Sequence, residues 1–113
     1  IISILHKRLD ELSESLKINC KIEKRTGDVS YTLKKKQLLK IPDIILTTPE
    51  SLALTIANSD ASLLLEDADY IIIDELNEFI NSKRADQLAL TLSRINAINK
   101  KFLLQCNNKK YNK

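Results

Sequence analysis

The sequence predicts an α/β fold in which helices cover both faces of a mostly parallel β-sheet. The first observation behind this prediction is that patterns typical of helices and of strands alternate along the chain, which requires crossover connections and parallel pairing. The second is the run at residues 70–73, where three consecutive isoleucines follow a tyrosine. An uninterrupted apolar run of this length indicates a strand buried on both faces of a parallel sheet.

Length and composition narrow the class of protein. The chain has 113 residues, of which 43% are hydrophobic and 29% are charged, as is typical of a single globular domain. No apolar run approaches the ~20 residues that cross a bilayer, and no segment has the pattern of a signal peptide. We therefore expect a cytoplasmic protein without a membrane partner. Cys20 and Cys106 have no partner at metal-ligand spacing, so we expect neither zinc nor a redox pair, and we expect Cys20 to be buried.

Charge is strongly segregated along the chain. Residues 1–42 contain ten basic and five acidic side chains. Residues 43–82 contain no basic and nine acidic side chains, and residues 83–113 contain eight basic and one acidic side chain. An acidic middle between basic flanks suits a divalent cation at the centre and a polyanion nearby. Solvated charge on helix surfaces explains the pattern equally well, so both interpretations stay open.

The first helix is predicted by apolar residues that recur every three or four positions opposite a charged face: Ile2, Leu5, Leu9, Leu12 and Leu16. His6 falls among the surface-facing positions, where we expect a lone histidine to be incidental. A short, half-exposed strand follows over residues 20–25, and residues 26–28 end it as a turn.

A short basic helix follows this turn and stops before Pro42, because the residue that precedes a proline disfavours helical geometry. It contains the lysine run at residues 34–36. This run is a solvated helix face, which is the interpretation we favour, or a phosphate contact.

The next strand and helix are predicted together. Residues 43–47 form an apolar strand, and a helix then runs from Pro49 to about Ala57. Its start is marked by Thr48 as a cap, by a proline at the first helical position and by Glu50 in the first turn, where a carboxylate favours the helix dipole.

The middle of the chain contains short elements around the isoleucine run. Residues 62–65 offer a short apolar helical turn before the strand at residues 70–73. Beyond that strand, Phe79 and Ile80 lie on another short turn.

The last part of the chain contains a long helix, a strand and a tail. The helix spans about residues 83–99, the strand residues 101–105, and the polar, frayed tail residues 107–113. The helix is marked by an apolar stripe at helical spacing: Ala85, Leu88, Ala89, Leu92 and Ile95.

Two carboxylates, Asp74 and Glu75, directly follow the isoleucine run. Open α/β sheets bind ligands at the carboxyl ends of their strands, so this position suits Mg²⁺ and a nucleotide, although acidic residues also simply end buried strands. Gly27 is the only glycine. A phosphate-binding P-loop requires two glycines and a dinucleotide fingerprint three, so the chain contains neither.

Taken together, several segments resemble a superfamily 2 DEAD/DEAH-box helicase, and within that family the large helicase-related (Lhr-like) subgroup. The resemblance extends over roughly residues 5–98 and lies in the order and spacing of the motifs. The matching segments are residues 25–28, 42–52, 71–75, 82–84 and 87–94.

This resemblance implies part of a RecA-like, three-layer fold at residues 1–106, followed by the tail at residues 107–113. In the intact family this domain binds ATP and Mg²⁺ as cofactors. Asp74 matches the Walker B aspartate that holds Mg²⁺, and Glu75 matches the glutamate that activates the attacking water, which agrees with what phosphoryl transfer requires.

The resemblance also implies DNA or RNA as a partner. In the family, one motif holds a bound strand through a threonine and a helix N-terminus, and another loop also contacts the strand; a helix start is a ready phosphate site. The residues that match these two motifs are Thr48, Pro49, Glu50 and Ser51, and Thr26, Gly27 and Asp28.

Departures from the family pattern suggest that the chain is not catalytic alone. Asn77 stands where the family usually has histidine, and residues 105–107 read Gln-Cys-Asn where Ser-Ala-Thr is expected. We expect the Walker A strand and loop and the second RecA-like domain to be absent from this chain. We therefore expect this chain alone to bind neither ATP nor Mg²⁺.

Three hypotheses remain open from the sequence. The chain is a fragment of an ATP-dependent DNA or RNA helicase that works with a separate chain supplying Walker A and the second RecA-like domain. Alternatively, it is a non-catalytic nucleic-acid-binding remnant. The third hypothesis is an inactive product of a degraded or split gene.

Overall fold

The computed structural model describes residues 2–59, 61–74 and 82–107. The described helices and strands follow one another in the predicted order, and the chain divides into two compact units, Ile1–Leu52 and Ala53–Lys113. The elements are α1 (Ile2–Ser15), β1 (Ile22–Arg25), α2 (Tyr31–Leu39), β2 (Ile44–Thr47), α3 (Pro49–Ala57), α4 (Ala61–Leu65), β3 (Tyr70–Asp74), α5 (Lys83–Ile98) and β4 (Leu103–Asn107). Residue 107, with which the predicted tail begins, is the last residue of β4. The turn predicted around Phe79 and Ile80 and residues 108–113 of the predicted tail lie outside the described residues.

Both strand pairs in the described structure are parallel, which confirms the predicted α/β class. In the first unit β1 pairs with β2, from Ile22 opposite Ile44 to Arg25 opposite Thr47. In the second unit β3 pairs with β4 in the same sense. Each parallel pair is connected through helical segments, as crossover geometry requires.

Strand β4 begins two residues later than the sequence pattern suggested. The backbone N–H of Lys101 donates to Asn99 Oδ1 over 3.0 Å, and the first link to β3 is the bond from Leu103 N to Asp69 O at 2.8 Å. A local side-chain acceptor therefore holds residue 101 in the connecting turn, and pairing starts only beyond it.

Helix α1 packs on β1 through a polar contact that the sequence did not indicate. His6 Nε2 donates to the carbonyl oxygen of Ile22 over 2.8 Å, and its Nδ1 lies 3.5 Å from the Asp10 carboxylate. His6 thus joins α1 to β1, which is a structural contact and not the catalytic role that the sequence analysis set aside. By contrast, Leu12 and Leu16 of the predicted apolar stripe remain largely exposed.

A buried glutamine joins α2 to the end of β1. The side chain of Gln37 is fully buried, and its Nε2 donates to the carbonyl oxygen of Lys24 over 2.8 Å. Its Oε1 accepts from Arg25 Nη1 over 3.1 Å, and the same nitrogen donates to the carbonyl oxygen of Lys34. The Gln37 amide thus forms hydrogen bonds with Lys24 and Arg25, the last two residues of β1. We refer to these contacts of Gln37 and Arg25 as the Gln37 clamp.

In the second unit, α4 and α5 share a small core. Leu88, Thr91 and Ile95 are buried along one side of α5, with Ile95 wholly inaccessible to solvent. Asn99 is also buried, and its Nδ2 donates to the carbonyl oxygens of Leu65 and Ala68, each over 2.8 Å. Because Asn99 Oδ1 is the acceptor for Lys101, one buried amide fixes the end of α4 and the approach to β4.

Two predictions about burial were wrong. The strand at residues 70–73 is extended, but Tyr70 and Ile72 are 58% and 67% exposed, because β3 pairs with β4 alone in the described structure and only alternate side chains face inward. Cys20 is half-buried rather than buried. Among the described residues, no helix combines the length and apolar character needed to span a bilayer.

We expect Gln37→Leu to lower the free energy of unfolding by about 1–3 kcal/mol, because the variant leaves the Lys24 carbonyl without its side-chain donor and removes one of the bonds of the Arg25 guanidinium. Urea denaturation followed by circular dichroism measures the change. The matched control is Gln87→Leu on the exposed side of α5, which should stay within about 0.5 kcal/mol. Equal stabilities for the two variants would contradict the role assigned to the Gln37 clamp.

Candidate nucleic-acid interface

The loops that follow β1 and β2 lie side by side because these strands are parallel. Arg25 and Thr47 are the last residues of the two strands and stand opposite each other in the register. Thr47 Oγ1 also donates to the carbonyl oxygen of Arg25 over 2.7 Å. The strand ends are thus fixed together, and the two segments that the sequence analysis singled out emerge at the same edge. We call residues 26–28 the first loop and residues 48–51 the second loop.

The second loop is held in place by a helix cap. Thr48 Oγ1 accepts from the backbone N–H of Ser51 over 3.1 Å, and the Thr48 carbonyl accepts the first helical bond, from Leu52 N, over 2.9 Å. The Thr48 hydroxyl donates to Ser51 Oγ over 2.9 Å. The expectation that Thr48 caps α3 is confirmed, with Pro49 as the first helical residue and Glu50 exposed in the first turn.

The first loop is a tight turn stabilised by its own side chains. Val29 N donates to the Thr26 carbonyl over 3.1 Å, and the Thr26 hydroxyl donates to the Asp28 carboxylate. The bond from Thr26, followed by a backbone bond and the charges of Lys24 and Lys34, holds the pKa of Asp28 below its ordinary value. Asp28 is therefore a carboxylate at neutral pH.

Gly27 leaves open space above the first loop. Its backbone has no positive φ, so the conformation of the turn does not require glycine. A Cβ built at this position would meet no heavy atom within 4 Å. The space beside Gly27 is therefore open, and because glycine has no side chain, a ligand can approach the backbone there.

An open cavity of about 400 Å³ lies where the two loops meet. It contains three of the predicted interface residues, Thr26, Asp28 and Thr48, together with residues that the sequence did not single out. Its complete lining is Ile2, Ser3, Lys24, Thr26, Asp28 and Thr48. The alternation of side chains along a strand could have predicted that Lys24 and Arg25 point to opposite faces. The position of Ser3 could not be predicted in this way, because it depends on how α1 packs against β1.

The predicted catalytic carboxylates are described only in part. Asp74 is exposed at the carboxyl end of β3, opposite Asn107 in the register. Glu75 and Asn77 lie outside the described residues. Gln105 and Cys106 are exposed on β4. No cluster of three or more metal-ligating side chains occurs within the described ranges.

Comparison with known proteins identifies the family. The profile of the DEAD/DEAH box helicase family matches residues 2–108. The chain belongs to this family. The resemblance inferred from the motif order is therefore confirmed over almost the whole chain.

Relatives of this helicase-family chain include Lhr proteins. It is 38% identical over 99 residues to the ATP-dependent helicase Lhr-Core of Saccharolobus solfataricus, covering 82% of this chain and 11% of that protein. It is 42% identical over 74 residues to Lhr-Core of Methanocaldococcus jannaschii, covering 66% and 9%. The chain thus spans about a tenth of the length of these curated relatives.

A solved helicase structure confirms the fold. The helicase Lhr of Mycobacterium smegmatis, bound to single-stranded DNA and AMP-PNP, superposes with a TM-score of 0.75 at 24% identity. The match covers 87% of this chain and 13% of that one. The α/β, RecA-like fold class predicted for this chain is therefore correct.

We expect Thr26→Val to raise the pKa of Asp28 towards its ordinary value of 3.8, because the variant removes the hydroxyl that donates to the carboxylate. A pH titration of the Asp28 carboxyl carbon by NMR measures the change, and Thr32→Val on the exposed part of α2 is the control. Since the folded-state pKa is lowered, the carboxylate contributes stability above the unfolded-state pKa and loses it as pH falls through the folded-state value. An unchanged pKa in Thr26→Val would contradict this account.

Proposed function

We propose that the chain is a piece of the first RecA-like domain of an ATP-dependent helicase, at residues 1–106 with a polar tail at residues 107–113, and that it binds single-stranded DNA or RNA. The observation that carries this proposal is the cavity at which the two loops of the first unit meet. Membership of the helicase family and the single-stranded DNA bound by the related Lhr support it.

The chemistry of the two loops suits a nucleic-acid strand. The start of α3 carries a partial positive charge that favours a phosphate, and the Thr48 hydroxyl holds that helix start in shape. Asp28 and Glu50 are carboxylates, which repel phosphate but accept hydrogen bonds from sugar hydroxyls or base amino groups. The loops therefore combine phosphate contacts with acceptors for the rest of the nucleotide.

In the proposed intact motor, Asp74 would hold Mg²⁺ and Glu75 would orient the water that attacks ATP. A P-loop requires two glycines, and the sequence contains one. We propose that a separate chain supplies Walker A and the second RecA-like domain in the cytoplasm. The largely exposed Tyr70 and Ile72 on β3 support a partner at the second unit.

Binding is tested by fluorescence anisotropy with a labelled single strand of DNA or RNA at several salt concentrations. We expect affinity to fall as salt rises, because neutralised phosphates release counterions. Thr48→Val should weaken binding by disturbing the start of α3, and Thr48→Ser, which keeps the capping hydroxyl, should bind as the native chain does. Native-chain affinity that is absent or independent of salt would eliminate the proposal and favour an inactive gene product.

The isolated chain should show no Mg²⁺-dependent ATP hydrolysis, because it has no loop to hold the nucleotide phosphates. A phosphate-release assay with and without single-stranded nucleic acid measures this. Turnover that Glu75→Gln abolishes, and that Glu66→Gln at an exposed position leaves intact, would show the expectation to be wrong.

A further inference from the structure

Several cations lie near the candidate interface, but their side chains are engaged differently. Arg25 is half-buried and its guanidinium points into the Gln37 clamp, where it donates to Gln37 Oε1 and to the Lys34 carbonyl. Lys35 Nζ lies 5.6 Å from the centroid of the Tyr31 ring, on the surface of α2. Neither of these side chains lines the cavity, so the charge that faces a ligand there comes from elsewhere.

Lys24 is the cationic residue that lines the cavity. Hydrogen bonds fix both its ammonium group and its backbone carbonyl. Its Nζ donates to Ser3 Oγ over 3.3 Å, so the start of α1 directs the ammonium group. Its carbonyl oxygen accepts from the buried Gln37 Nε2 over 2.8 Å, so the Gln37 clamp fixes the backbone. A side chain held in this way loses less conformational entropy when it binds a ligand.

The surroundings of Lys24 indicate the chemical class of its ligand. Ser3 Oγ accepts from Lys24, so its own proton can be donated to a phosphate oxygen, whereas the hydroxyl protons of Thr26 and Thr48 are already donated to Asp28 and Ser51. Asp28 is the opposing charge there, and the Thr26 hydroxyl already donates to it. One ammonium and one carboxylate favour a singly charged phosphodiester over a doubly charged terminal phosphate, because the carboxylate repels added negative charge.

We propose that Lys24 contacts one phosphodiester of a bound single strand, positioned by Ser3 and by the Gln37 clamp. This inference rests on the proposed function of the interface. It adds a contact from β1 to the phosphate contact proposed at the start of α3. For the lysine run of α2, the sequence had favoured a solvated helix face over a phosphate contact.

The test compares the salt dependence of binding in three variants by fluorescence anisotropy with a single-stranded oligonucleotide. Each phosphate contact on a single strand contributes about 0.7 to the slope of log affinity against log salt. Lys24→Gln should therefore flatten the slope by about 0.7, and Lys24→Arg should restore it. Lys40→Gln, which removes an equal charge from an exposed position after α2, should leave the slope unchanged.

The outcomes separate this inference from the proposed function. If the native chain binds but Lys24→Gln keeps the native slope, Lys24 is not a phosphate contact, whereas the interface itself stands. Weaker binding at an unchanged slope would identify Lys24 as a structural residue and also overturn the inference. If the native chain does not bind, both proposals fail. Circular dichroism of each variant verifies that the fold is retained, and if Lys24→Gln unfolds, Lys24→Met, which also removes the charge, takes its place in the comparison of slopes.

Discussion

The parallel register between β1 and β2 is the constraint on which the candidate interface depends. A shift by one residue would turn every side chain of one strand to the opposite face, so Lys24 and the loop after β2 would no longer share one face. Thr47 fixes this register at the strand ends, and Gln37 fixes the end of β1 to α2. Thr47 bonds to the Arg25 carbonyl, and Gln37 holds the Lys24 carbonyl and the Arg25 guanidinium from the side of α2. Buried polar groups satisfied in this way specify one arrangement, because each alternative leaves a group unpaired.

The interface keeps positive and negative groups close together. The bond from Thr26 and the charges of two lysines lower the pKa of Asp28, and Lys24 faces the same cavity. Such a surface suits a ligand in which negative charges alternate with hydrogen-bond donors. In a nucleic acid the phosphates supply the charges, and sugar hydroxyls or base amino groups supply the donors. A purely basic patch would bind any polyanion, whereas the carboxylate restricts which groups come near the ammonium.

Local elements could be predicted from the sequence because their signals are local. The cap at Thr48 and the strand that leads to Asp74 follow from neighbouring residues, and the order of the motifs was enough to indicate the helicase family. The roles of His6, Gln37 and Ser3 could not be predicted, because each depends on which carbonyl or side chain of a distant element comes within reach. The exposure of Ile72 was missed for a related reason: apolar composition indicates that a face can be buried, and the neighbours of β3 decide whether it is.

The central claim is that residues 26–28 and 48–51 form one nucleic-acid interface, and an NMR titration of the ¹⁵N-labelled chain with a short single-stranded oligonucleotide tests it most directly. The backbone amides of both loops should shift together along one saturation curve, while those on exposed positions of α5, such as Arg94, stay in place. Shifts confined to one loop, or two loops that saturate at different concentrations, would contradict the claim.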